Sequence, residues 1–471
     1  MTISPCRSQT FADYKYLNQL LLEVQENCRS HKNSKIVSIS LEIGLVDPLL
    51  VLDKFNHKNA INFYFENRTQ GEAIAGIDTV DKLEIFGNTR FTKAEEFIKN
   101  CLKNIIPISH QNHPLSLPHF FCTFSFFDQH HKTDYPFPAA TVFLPCWQIV
   151  VKNNCCTLVM NTIINSSVNI SQILDNLQRH LEIIQTLTNY SFKSEPFPVN
   201  LYNKITKNDD KFKASVASAL EIIQSKHLSK IVLADTLDVF ANHDFNLLQS
   251  LNNLRQLHPN CYIFSTSNGK GQNFIGASPE RLISIHKQQL ITDALAGSAP
   301  RGKTPIEDGE NAKKLINSTK EKHEHKLVLD FITQHLSQLG LLPQVLAPRL
   351  RQLSNIQHLW TPISAVVPNN IHPLQIVAKL HPTPAVAGAT RDIACAEIRR
   401  YEPFERGLYA APLGWVDADG NCEFIVGIRS ALIDGNYARL YAGAGIVAGS
   451  DPEKEFAEVQ LKLQALLKAL V

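Results

Sequence analysis

The chain predicts an α+β fold, and three patterns carry that prediction. Leu17, Leu20, Leu21 and Val24 recur at helical spacing, whereas Val37, Ile39, Leu41 and Ile43 alternate with Ser38, Ser40 and Glu42 as a strand does, so the N-terminal half mixes both elements. After Lys230, short β-rich runs separated by turn residues dominate. Between these regions, from Ser191 to Asp210, the pattern dissolves into Pro196, Pro198 and several Asn and Lys residues, the composition of a connection. One boundary follows: an N-terminal α+β half, residues 1–204, contributing to the same compound fold as a second, strand-rich region, residues 205–471.

In the second half, Phe212, Val216, Leu220 and Ile223 form the stripe of a helix capped near Asp209 or Asp210. Strands are expected at Lys230 to Val239, Cys261 to Ser265, Phe274 to Ala277 and Arg281 to Ile285, then one long helix from about Asp308 to Leu339. Ala418-Asp419-Gly420-Asn421, and Asp434-Gly435-Asn436 before Tyr437 to Tyr441, are hairpin turns, and a helix closes the chain from about Pro452.

With 471 residues, the chain has room for roughly two to four domains or one large compound domain. The 46 basic residues nearly balance the 44 acidic ones, which removes any electrostatic reason to expect nucleic acid or an anionic membrane as partner and points to a small substrate. Of ten cysteines only Cys155 and Cys156 are close in sequence, and none forms a C-x-x-C pair, so they read as reduced thiols of a cytoplasmic protein. Met1 to Cys6 lacks the basic start of a secretory signal, and no run reaches the ~18 apolar residues that cross a bilayer.

Lys230, opening a strand, and Glu280, closing Gly276-Ala277-Ser278-Pro279-Glu280, could set a base opposite an acid. A lysine is a base only when neutral, and moving its pKa from ~10.4 to neutrality costs about 4 kcal/mol, which requires a desolvated or electropositive pocket. Glu324 has Leu327, Val328 and Phe331 at i+3, i+4 and i+7, so it faces inward, either paired with a Lys or Arg or ligating a hard cation such as Mg²⁺. A second ligand would come from the last helix, where Glu455, Glu458 and Lys462 stand; Glu458 and Lys462 taken alone fit an exposed i,i+4 pair. Gly443 and Gly445 would let backbone amides approach an anion, or simply make a turn. Tyr409 and Arg429 could clamp a carboxylate or decorate a strand.

His381 sits in a rigid, proline-bounded segment, where a lone His is more often structural. His323 with His325, and His130 with His131, lack zinc-site spacing and read as solvated. Gly297 to Thr304 matches the phosphate-loop pattern G-x-x-x-x-G-K-T. The match is set aside because Pro305 to Gly309 should keep the chain irregular, Pro300 has no N–H to offer, and Asp330, inside the long helix, supplies no strand-borne acid.

In their order along the chain, Lys230-Ile231-Val232-Leu233-Ala234, Gly276 to Leu282, Ala294 to Ala299 with Arg301-Gly302, Glu324-His325, Leu380 to Val386, Arg406-Gly407-Leu408-Tyr409, Gly427-Ile428-Arg429, Gly443 to Val447 and Glu458 with Lys462 resemble the chorismate-utilising enzymes. The resemblance is to their isochorismate synthases of menaquinone or phylloquinone biosynthesis in particular, and Phe65-Glu66-Asn67-Arg68, Gly71-Glu72 and Ala140 to Pro145 extend it loosely into the N-terminal half. It implies two large antiparallel sheets packed together, outer helices and a Mg²⁺-dependent pocket for chorismate. By that similarity Glu324 and Glu458 hold the metal and Lys230 and Glu280 are the base and the acid. Tyr409, Arg429, Lys462 and the backbone at Gly297 and Gly445 would hold carboxylates, with Ser298, His381 and Ala385 completing the substrate site. Ammonia-using anthranilate synthases usually lack the base lysine and carry Thr near Ala385, salicylate synthases usually carry that Thr, and aminodeoxychorismate synthases place a Lys where Ala296 stands. The combination here implies water as nucleophile, isochorismate as product and no obligatory glutaminase subunit. The alternatives are a salicylate synthase, which also eliminates pyruvate, and a nucleotide-binding protein built on Gly297 to Thr304.

Overall fold

Two β-sheets packed face to face form the core of the computed structural model, which describes residues 11–55, 60–109, 117–130, 135–188, 190, 201–206, 209–353 and 356–470. Among the described residues the first sheet has thirteen strands and the second ten. All the pairings are antiparallel except that of Lys35–Ile43 with Ile105–Ser109. The sheets meet through large apolar residues: Phe63 of the first stacks on Phe121 of the second at 4.9 Å, and a Cβ on Gly76 would overlap the Phe121 ring. A buried polar link joins them as well, with the Tyr262 hydroxyl donating to Glu423 Oε1 at 2.7 Å.

Each sheet is built from both halves of the chain. Tyr262–Asn268 pairs with Ile61–Asn67 in the first, and Pro412–Asp417 pairs with His119–Phe124 in the second. The line expected at 204/205 therefore divides neither sheet. Residues 191–200 of the expected connection lie outside the described residues, but its end, Leu201–Thr206, is an edge strand against Lys230–Ala241.

The strand runs expected from sequence appear as Lys230–Ala241, Tyr262–Asn268, Gln272–Ser278 and Arg281–His286, and both hairpins form, at Asp417 to Cys422 and at Asp434 to Tyr437. Helices Asp209–Gln224, Leu247–Leu257 and Pro452–Leu470 pack together on the first sheet, and helix Thr319–Gln338 packs on the second. The single long helix expected from about Asp308 is instead two, Pro305–Asn317 and Thr319–Gln338. Ser318 breaks it by leaving the helical region at ψ 120° and capping the second helix, its hydroxyl accepting from Glu321 N at 3.3 Å.

The stretch after Thr304 is helical from Pro305, not irregular, because Thr304 caps it through Glu307 N. The phosphate-loop match fails for a different reason. Gly297 to Pro300 end a strand, and the amides of Gly302 and Lys303 are already bound by the Asp308 and Glu307 carboxylates at 2.9 and 2.8 Å. The expectation that the histidine pairs are solvated holds for His323 only. His325 is buried, its ring nitrogens 2.7 Å from Thr361 Oγ1 and 3.3 Å from the Ala296 carbonyl, and His130 is largely covered beside Glu405, while His131 lies outside the described residues. The described cysteines are free thiols, and no described helix is long and apolar enough to cross a membrane.

Candidate active site

Strand register builds the floor of the site. Lys230–Ala241 pairs with Tyr437–Val447 so that Lys230 faces Val447, Val232 faces Gly445 and Ala234 faces Gly443. Opposed residues share a face and the side-chain period is two, so Lys230, Val232, Ala234 and both glycines lie on one face. The glycines keep that face open: a Cβ at 445 would stand 2.8 Å from Glu324 Oε1 and 3.2 Å from Lys230 Cε, and one at 443 would stand 2.9 Å from the Tyr409 hydroxyl. This close approach, more than a turn, explains Gly443 and Gly445.

Lys230 is fully buried and its Nζ lies 2.7 Å from Glu324 Oε1. Glu324 thus has a basic partner, the candidate base, while its Oε2 lies outside that pair. Lys462 likewise binds Glu458 Oε1 at 2.7 Å and the Gly443 carbonyl at 2.9 Å, so this i,i+4 pair lines the site while remaining partly exposed.

Above the floor is a cavity whose walls include Glu280, Gly297, Ser298, Glu324, His358, Ala385, Tyr409, Arg429, Gly445, Glu458 and Lys462. Every residue expected at the site is thus on its walls except Lys230 and His381. Lys230 lies just behind, under Gly445 and Glu324. His381 is a correction: its Nε2 meets the Phe126 carbonyl at 3.1 Å, its ring packs edge-on against Phe126, and burial pushes its pKa down to about 3. A neutral imidazole bound to a backbone carbonyl is a structural donor, the more common role set against it above.

Glu280 is the most perturbed carboxyl on the cavity wall. Burial raises its pKa to about 7 against the opposing pull of Lys230, with Asp293 adding to the rise and Arg351 lowering it. A buried carboxyl poised near neutrality can deliver a proton, as a general acid must.

Arg429 supplies the clearest anion-seeking group. It adopts a left-handed φ of 50°, and its carbonyl accepts from Ala277 N at 3.1 Å, beside Gly276, where a Cβ would come within 2.7 Å of that oxygen. Its Nη1 is buried without a hydrogen-bond partner. Arg429 and Lys462 both depress His358, whose pKa burial already pushes well down, so this part of the cavity is cationic. Gly297, at φ 76°, is the extra residue of a bulge between the Ala296–Leu359 and Ser298–His358 pairs, which takes its amide out of the ladder; the Ser298 amide is already bound to Glu321 Oε2 at 2.9 Å.

Acids gather around Glu324 and Glu458. Glu321 is raised by burial and by the charges of Glu324 and Glu458, and Glu455 is raised by burial, with Lys320 between them at 3.8 Å from Glu321 and 3.4 Å from Glu455. Among the described residues no three His, Cys, Asp or Glu side chains converge as a ready metal cage. Mg²⁺ commonly uses one or two carboxylates plus water and substrate, a donor set that Glu324 and Glu458, both on the cavity wall, match in kind.

Sequence reasoning missed His358 and Glu321. The alternation of Ile356–Val366 and the i−3 relation of Glu321 to Glu324 carried the signal; His358, paired with Ser298 beside the Gly297 bulge, lines the cavity, whereas Glu321 reaches the site through the Ser298 amide that it binds. It also missed the Arg406–Glu402 pair, in which Arg406 Nη2 and Nε bind Glu402 at 2.6 and 2.8 Å, the same guanidinium donates to the Val386 and Val232 carbonyls, and Glu402 accepts from Ala234 N. This clasp ties the floor strand to the segments bearing Ala385 and Tyr409.

Comparison with known proteins agrees with this architecture. The family described as chorismate binding enzyme matches residues 23–471. The salicylate biosynthesis isochorismate synthase of Pseudomonas aeruginosa is 39% identical over 260 residues, 55% of this chain and 54% of that protein, so the chain spans about half that relative's length. Isochorismate synthase MenF of Bacillus subtilis is 29% identical over 460 residues, 96% of each chain. The solved structure of MenF, the menaquinone-specific isochorismate synthase from Escherichia coli, superposes with a TM-score of 0.76 at 26% identity, over 97% of this chain and 99% of that one. With the two-sheet fold, the glycine-floored cavity and a match running almost the full length, the chain belongs to the chorismate-binding enzyme family.

Proposed function

We propose that this protein is an isochorismate synthase of the menaquinone type, converting chorismate to isochorismate with Mg²⁺. The observation that carries the reading is Glu280, a carboxyl held near neutrality on the wall of a cavity with Lys230 close enough to oppose its shift. Water adds at C2 of the substrate ring while the double bonds move and the C4 hydroxyl departs. Lys230 in its neutral form takes the proton from the attacking water, and Glu280 in its protonated form gives one to the leaving hydroxyl, which departs as water. Glu324 Oε1, 2.7 Å from Nζ, is placed to hold the ammonium so formed.

The unpartnered Nη1 of Arg429, the Tyr409 hydroxyl over Gly443, and Lys462 receive the substrate carboxylates, so that attack becomes effectively unimolecular. Glu324 and Glu458 hold Mg²⁺, which when bound adds an electrostatic grip on one substrate carboxylate. Their ion pairs with Lys230 and Lys462 use Oε1 of each acid, so the Oε2 atoms lie outside those pairs. Water as nucleophile needs neither ammonia nor a glutaminase subunit.

The test is chromatography of the products after purified protein is incubated with chorismate and Mg²⁺. Isochorismate is expected, and Lys230→Ala should abolish it in a folded protein. Salicylate with pyruvate would replace this reading by the salicylate synthase one, and conversion only on addition of ammonia would end both.

A further inference from the structure

The turn that aims Tyr409 into the cavity is held by a residue from the other half of the chain. Residues 406–410 form a tight loop with two left-handed residues, Gly407 at φ 52° and Ala410 at φ 60°, and the second is not glycine. Tyr135 lies directly against it. Its hydroxyl accepts from Leu408 N at 2.8 Å, and its ring occupies the space a Cβ on Gly407 would need. The neighbouring strand end adds a second tie, Phe126 N donating to the Gly407 carbonyl at 2.6 Å, while the Phe126 ring lies 4.4 Å from the Arg406 guanidinium. Leu408 is fully buried, so no water can replace the tyrosine oxygen as acceptor for its amide. One residue further on, Tyr409 stacks on Tyr441 at 5.2 Å with its hydroxyl over Gly443.

We propose that Tyr135 is a positioning residue for substrate binding, acting through the Leu408 amide to fix where the Tyr409 hydroxyl meets a carboxylate of the substrate. The inference rests on the role given to Tyr409 in the proposed function. It explains why Gly407 is glycine, since the tyrosine fills the side-chain space, and why residues before the 204/205 line matter to a site whose chemical groups all follow it.

A double-mutant cycle in chorismate turnover tests it. Tyr135→Phe keeps the ring and removes the acceptor; KM for chorismate should rise about fivefold with kcat changed less than about twofold, the pattern of lost binding common to ground and transition states. In a Tyr409→Phe background the same substitution should add nothing, because the hydroxyl it positions is gone. Gly407→Ala, which must displace the Tyr135 ring, should reproduce the KM effect and likewise vanish beside Tyr409→Phe. Effects of Tyr135→Phe and Tyr409→Phe that multiply, or an unchanged KM in Tyr135→Phe, would overturn the inference. A wild-type protein inert toward chorismate would instead overturn the proposed function.

Discussion

Glu280 gives the sharpest test, because its raised pKa ties stability and activity to the same proton. Its pKa moves from an ordinary 4.5 to about 7 in the fold. A group whose folded pKa lies above its unfolded value contributes stability that is complete below the unfolded pKa and is lost as pH rises through the folded one. For this shift the contribution is about 2.5 kcal/mol at about pH 5 and close to nothing at about pH 8.5. Glu280→Gln keeps the shape and removes the titration. Urea unfolding of both proteins at the two pH values should therefore show the wild type losing about 2.5 kcal/mol relative to the Gln variant on going from low to high pH. Catalysis should follow the same proton: kcat/KM should fall on the alkaline side with an apparent pKa near 7, and Glu280→Gln should lose at least about 100-fold in kcat. A stability difference between the two proteins that does not change with pH would show that this carboxyl titrates normally, and the assignment of the acid would fall with it.

Arg429→Lys keeps a charge but loses the fork that leaves Nη1 free, so KM for chorismate should rise about ten- to a hundredfold in steady-state assays, the worth of a charged hydrogen bond. Glu458→Gln should raise the Mg²⁺ concentration for half-maximal activity by at least about tenfold, with calorimetric Mg²⁺ titration weakened in parallel. Arg406→Met leaves Glu402 buried without its cation and should lower unfolding stability by about 3–5 kcal/mol in urea titrations at neutral pH.

Local pattern was enough to find most elements of the fold. The alternation of Val37 to Ile43, the turn residues at Asp419-Gly420 and Gly435, and the apolar stripe of the last helix each report a structure decided by nearby residues. What local pattern did not hold was how strands far apart in sequence pair. Tyr262–Asn268 lies beside Ile61–Asn67, about two hundred residues away, and nothing within either run states that choice. The same limit applies to capping. Ser318 inside a helical pattern reads as a tolerated polar residue until its hydroxyl is seen to satisfy Glu321 N and split the helix.

The site divides along the same line. Lys230, Glu280 and Glu324 stand out in sequence, whereas Glu458, read alone, fits an exposed i,i+4 pair with Lys462 and joins the set only through the family resemblance. His381 stood out too, and its reason proved to be a backbone carbonyl. The glycines carry the argument further. Gly443 and Gly445 look like turn residues in isolation, yet their register opposite Ala234 and Val232 makes each the absence of a side chain where Tyr409 and the Lys230–Glu324 pair must approach the sheet. Gly297 removes an amide from a ladder, and Gly407 gives its side-chain space to Tyr135. In each case the position is defined by what a distant segment puts against it. A few chemical groups, Lys230 and Glu324 among them, are therefore legible one residue at a time, whereas the space they work in is set by pairs of segments and becomes visible only when the sheets are assembled.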